Sequence, residues 1–105
     1  MSGHLTFDEL RHSNQNRCNL SFHGITGWSP TDWATAFAGE CGEACNLIKK
    51  LRRGERIQPT AIADEIADCV IYADLLCNRL GVTLEAAIRR KFNVVSDRVK
   101  SEIKL

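Results

Sequence analysis

Along most of this chain apolar residues recur at steps of three and four, and strand-like alternation is nearly absent. The pattern predicts four helices. "TFDE" opens the first, with Thr6 as N-cap and Glu9 reaching back, and it should run to about Asn19. Residues 20–28, "LSFHGITGW", hold two glycines and no period, which predicts a loop. In "SPTD", Ser29 caps a second helix, Pro30 fits its first turn and Asp32 suits its positive end. That helix should end near Arg53, where Gly54 is a natural stop and Lys49, Lys50, Arg52 and Arg53 complement the negative helix end. After the connector "GERIQPT", Thr60 begins the third helix, which carries the stripe Ile62, Ile66, Cys69, Ala73, Leu76 and Leu80 and stops at Gly81. Thr83 caps a fourth helix from Leu84 to about Ser101. The expectation is one all-α, four-helix bundle-like domain over residues 1–105, without repeats or linkers.

One position breaks the apolar pattern. The second helix's stripe reads Trp33, Phe37, Glu40, Ala44, Leu47, Leu51, so a carboxylate stands where a hydrophobe belongs. Glu43, three residues on, shares its face. The third helix repeats the spacing at Glu65 and Asp68, within "ADEIAD". If the two helices fold back on each other, the pairs meet. Glu43 lies about 15 Å before the turn at Arg53, and Asp68 about 12 Å beyond Thr60. Four carboxylates converging in a partly apolar groove repel one another and lose hydration. They can face water, be neutralised by Lys and Arg, or hold a metal. An all-oxygen set suits Mg²⁺, with Mn²⁺ as a substitute. A ferritin-like di-iron centre is disfavoured, because no histidine follows His23.

Charge and cysteine content narrow the remaining classes. Net charge is +1, so no global field draws the chain to nucleic acid or a membrane surface. "KKLRRGER" is basic, but a helix C-terminus favours cations anyway, and nearby acids balance it. No apolar run approaches a membrane span and the N-terminus lacks a signal peptide's apolar stretch, which reads as cytoplasmic. The five cysteines form no CxxC, and four of them fall in helical patterns, where a reduced thiol acts as a small hydrophobe. A zinc site at Cys18 and His23 would need distant partners.

ExxE, a helical gap, then ExxD resembles the signature of the MazG-like all-α nucleoside triphosphate pyrophosphohydrolases. The likeness covers nearly the whole chain, through "WSPTDWATAFAGECGEACNLIKKLRRGE", "ADEIADCVIYADLL" and "KFNVVSDR", and it is strongest to the short phage- and mobile-element-type members. The resemblance implies a helical bundle assembled as a homodimer or homotetramer. It also implies Mg²⁺-dependent hydrolysis of nucleoside triphosphates, deoxynucleotides in particular, to monophosphate and pyrophosphate. The family's metal-binding, catalytic acids fall on Glu40, Glu43, Glu65 and Asp68. Two positions depart from the pattern: Gly39 stands where a second Glu often precedes the first ligand, and Asp64 precedes Glu65 where the family has Glu.

Lys91 and Arg98, two turns apart, share one face of the fourth helix. Alone they read equally well as surface charge; the resemblance implies that both contact phosphates, with Asn93 helping. Lys50 or its neighbour Lys49 lies two turns beyond the first acid pair, within reach of a substrate phosphate. Trp28, in the loop, is the better candidate to stack on a nucleobase, since Trp33 belongs to the core stripe. Two alternatives stay open. One is a dUTP- or phosphoribosyl-ATP-specific relative, and the other is a non-catalytic helical interaction module, which Gly39 makes plausible.

Overall fold

The computed structural model describes residues 3–105. It contains α1 (Phe7–Ser21), a single 3-10 turn (Ile25–Gly27), α2 (Pro30–Arg52), α3 (Pro59–Arg79) and α4 (Leu84–Arg98), with no strand among the described residues. The caps explain most boundaries. Thr6 and Thr83 each accept a hydrogen bond from the backbone three residues on, at Glu9 and Ala86. Ser29 and Asp32 form a reciprocal capping box. α3 starts one residue earlier than expected, because Pro59 itself fits the first helical position behind Gln58.

Three helices end alike. The backbone amide two residues past the C-cap reaches back to the third-last helical carbonyl, and the amide before it reaches the next carbonyl along. This closure needs a left-handed residue. Gly54 (φ 92°) and Gly81 (φ 76°) supply it after α2 and α3. After α4 the same role falls to Lys100, at φ 60°. α4 therefore stops at Arg98 rather than near Ser101, and the tail turns back so that Asn93 and Leu105 exchange two hydrogen bonds.

α3 is the hub. It packs along α2 as a hairpin, while α1 and α4 lie against it and each other, and the backbones of α1 and α4 nowhere meet that of α2. The result is more open than a closed bundle. Its radius of gyration is 16.1 Å, against about 13 Å for a compact chain of this size. The expected stripes hold only in part. Trp33 and Ala44 are buried, but Leu51 is 47% exposed, and on α3 Ile66 is 50% exposed. The buried α3 positions are instead Asp74 and Leu75, facing the α1 side. The main core joins Cys18, Ile25, Trp33 and Leu75, so α1, the 3-10 turn, α2 and α3 all converge on it.

Candidate functional site

Small residues on α2 (Gly39, Gly42, Ala44) alternate with its acids, and the hairpin brings the two helices' acids to one level. Ligand oxygens of Glu40, Glu43 and Glu65 lie within 4.8 Å of one another, a spacing that one cation could bridge. Asp68 stands at the edge of this trio, close enough for its charge to act on both Glu40 and Glu65. The convergence expected from the paired spacing is thus present, tightest at three of the four positions.

No Lys or Arg forms an ion pair with these acids among the described residues. Their mutual repulsion appears as proton affinity. Burial, then the charges of Glu43 and Asp68, raise Glu40 above the ordinary 4.5. Glu65 is raised chiefly by its contact with the Glu43 carboxyl, then by burial and the surrounding negative charge. Glu65 Oε2 is fully enclosed and has no hydrogen-bond partner. Its neighbours are acceptors too, so the Glu43–Glu65 contact becomes a hydrogen bond only when one of the pair carries a proton. A buried carboxylate oxygen without a donor is costly, and a cation or proton is what satisfies it.

Asp68 also borders a cavity of about 250 Å³ between α1, α2 and α3. Its walls include Asn14, Arg17, His23, Trp33 and Tyr72. His23 Nδ1 lies 2.9 Å from the Gly24 carbonyl, which can only accept, so Nδ1 carries the hydrogen and Nε2 is left uncommitted. The ring is stacked on Trp28 at 4.1 Å and tilted against Trp33 at 5.2 Å. Trp33 is anchored by donating its indole N–H to the Ile25 carbonyl. Trp28, expected to meet a base, is not part of the cavity wall; it supports His23 from behind, its own carbonyl held by Arg79. Sequence alone does not assign Asn14, Arg17, His23 and Tyr72 to this wall. Only His23 adjoins the loop glycines, Gly24 and Gly27; the others are grouped with it by long-range contact between α1 and α3.

The basic residues expected at the site are dispersed. Lys50 is exposed in the last turn of α2. Lys91 borders a separate groove of about 620 Å³ between α4 and the tail, with Phe92, Val95 and Ile103. Asn93 is engaged with Leu105, and Arg98 is the exposed last residue of α4. Cys18, Cys41, Cys69 and Cys77 are buried or half-buried fillers, while Cys45 is exposed. All five are free, and burial, helped by Cys41 alongside, pushes Cys69 up to about 11, so it stays protonated. The trio of Glu40, Glu43 and Glu65 is the one candidate metal cluster among the described residues, and it includes neither Cys18 nor His23. No helix there is long and apolar enough to cross a membrane. No family model, curated protein or solved structure matches the chain.

Proposed function

We propose that the protein hydrolyses nucleoside triphosphates, deoxynucleotides in particular, to nucleoside monophosphate and pyrophosphate, using Mg²⁺ or in its place Mn²⁺. The observation that carries this reading is the enclosed, donorless Glu65 oxygen amid Glu40 and Glu43, beside a ring-walled cavity that begins at Asp68. Whole-chain resemblance to the MazG-like pyrophosphohydrolases, read from the acid motifs, supports it. Glu40, Glu43 and Glu65 would hold the ion, with Asp68 completing the set from the cavity side. The ion supplies positive charge that offsets the phosphates and polarises the phosphoryl oxygens.

The chain's own groups then divide the work. The cavity takes the base against Trp33, His23 and Tyr72, a wall of rings suited to a planar heterocycle. One of the acids beside the ion would accept the proton of the attacking water. Holding the β and γ phosphates as leaving group exposes the α–β linkage to in-line attack.

Incubation with Mg²⁺ and the common ribo- and deoxyribonucleoside triphosphates, followed by ion-exchange analysis, tests the reaction. Monophosphate and pyrophosphate are expected. Orthophosphate as first product, or no turnover of any of them, would favour the non-catalytic interaction module.

The same reading includes a homodimer at least. Ile66 and Val70 on α3, Leu5 beside α1, and Val95, Val99 and Ile103 along α4 and the tail are all exposed apolar groups, more than a small monomer usually leaves to water. Light scattering at micromolar concentration should return at least twice the chain's 11.7 kDa; a monomeric mass would refute the assembly.

A further inference from the structure

The seam between α1 and α3 sets where α1's side chains point. Asn14 Nδ2 donates to the Ile71 carbonyl at 2.9 Å and to Asp74 Oδ2 at 3.0 Å. Both acceptors are unambiguous, so both amide hydrogens are committed and the rotation of α1 on α3 is fixed. Arg11 reaches the Val82 carbonyl just past α3, and Gln15 meets Asn78, so the seam is held on both sides of Asn14. From Arg11 beside Val82 to Asn14 beside Ile71 and Asp74, α1 advances toward the acids. Arg17, one turn beyond Asn14, therefore arrives at the level of Asp68 and Ile71, where it borders the cavity together with Tyr72.

At that level Arg17 has no ion pair with any carboxylate among the described residues. The Tyr72 hydroxyl feels both sides: burial and the charges of Glu40 and Asp68 raise its pKa, while Arg17 opposes them. The cavity thus has a negative end at the acids and a free guanidinium on α1. Arg17 is the one Lys or Arg on its wall. The other candidates lie on α4 or in the last turn of α2.

We infer that Arg17 is a substrate-contacting residue whose guanidinium grips the phosphate chain of the bound nucleotide from the face opposite the acid trio. The role rests on the nucleotide reading above and deepens it, because it makes affinity depend on the phosphates as well as the base. A planar fork of donors matches phosphate oxygens in two parallel hydrogen bonds, which an ammonium reproduces only as a point charge. With Asn14 holding α1 in place, the guanidinium is delivered by a locked helix rather than by a loop.

The test compares the wild type with Arg17→Gln, which keeps an apolar stem on the cavity wall, and Arg17→Lys. Steady-state kinetics with dATP, dCTP, dGTP and dTTP in Mg²⁺ are paired with calorimetric titration of inorganic pyrophosphate and of the nucleoside of the best substrate. Thermal melts establish that all three proteins fold. For Arg17→Gln, kcat/KM should fall about 10- to 100-fold, mostly through KM, as expected for loss of a charge-assisted contact. Pyrophosphate affinity should fall in parallel, nucleoside affinity should stay within about twofold, and Arg17→Lys should lie between. Equal weakening of nucleoside and triphosphate would mean that the guanidinium stacks on the base, and overturns the inference; so does the absence of any change. If the wild type turns over none of the four, the hydrolytic reading falls and pyrophosphate decides Arg17 alone. Equal affinity in wild type and Arg17→Gln, or no binding by either, then overturns it.

Discussion

At Asp74, in the C-terminal half of α3, the carboxylate is 1% exposed and receives the Asn14 side-chain amide at 3.0 Å. Glu65, nearer the start of the same helix, is only half-buried, but one of its carboxylate oxygens is enclosed without a hydrogen-bond partner and lies close to Glu40 and Glu43. The two residues share a chemistry and a helix, and differ in what the rest of the chain offers them. Asp74 is provided with a donor by α1, which makes it a structural pin. Glu65 is not, and its unsatisfied oxygen is the observation on which the proposed cation site at the α2–α3 level rests. Buried charge alone does not distinguish a site from a pin; the presence or absence of an internal partner does.

Substituting the two acids should separate these roles. The largest effect is expected from Glu65→Gln. Turnover should drop by about two to three orders of magnitude, the range seen when a group stabilising transition-state charge is lost. The stabilisation that Mg²⁺ confers, about 2.7 kcal/mol at a hundred times its dissociation constant, should shrink as well. Initial rates and metal-dependent melts measure both. Glu40→Gln and Asp68→Asn should weaken Mg²⁺ binding in calorimetry while leaving helicity intact, and metal affinity unchanged in both would refute the site.

Asp74→Ala sharpens the contrast from the other side. It strands the Asn14 amide in a buried seam and should cost about 1–3 kcal/mol in urea unfolding, with Mg²⁺ affinity preserved. A stable Asp74→Ala protein that had lost its metal would break the comparison.

Acidity provides the smallest and most specific reading. Because Glu40 and Glu65 are raised in the fold, the folded protein holds protons that the unfolded chain has released. Their contribution to metal-free stability is complete below the ordinary glutamate value of 4.5 and is lost as pH rises through the raised folded values. In chelator, the wild type should therefore lose stability relative to Glu65→Gln as pH climbs from 4.5 toward neutrality. Parallel melting curves across that window would contradict the assignment.

The sequence carried the local half of this architecture. Thr6, Ser29 and Thr83 cap their helices by side chains that act within three residues, and Gly54 and Gly81 end theirs by backbone freedom. The meeting of Glu40 and Glu43 with Glu65 was legible for the same reason, since two helices and a short connector fix the level. Where the structure departs, nonlocal packing decides. Ile66 belongs to an apolar stripe yet faces outward, because α3 turns Asp74 and Leu75 inward toward α1. The end of α4 is not legible in the sequence, because Lys100 adopts a left-handed conformation for which a lysine gives no signal. Arg17 and His23 had no readable role until the fold brought α1 beside Asp68.

The α1–α3 seam has a consequence for the order in which the molecule folds. α2 and α3 are neighbours along the chain, and their hairpin closes over one short connector. Asn14, by contrast, must find Ile71 and Asp74 across 57 and 60 residues. Loop closure of that length carries a larger entropic cost and is repaid only once α3 is already formed. The acid level should therefore assemble early in folding and the cavity late. Substitutions in the α2–α3 contact should slow folding, whereas those at Asn14 should mainly speed unfolding. During synthesis α1 leaves the ribosome before α2 and α3 and docks last, so the partially folded chain brings its carboxylates together before the cavity beside Asp68 closes.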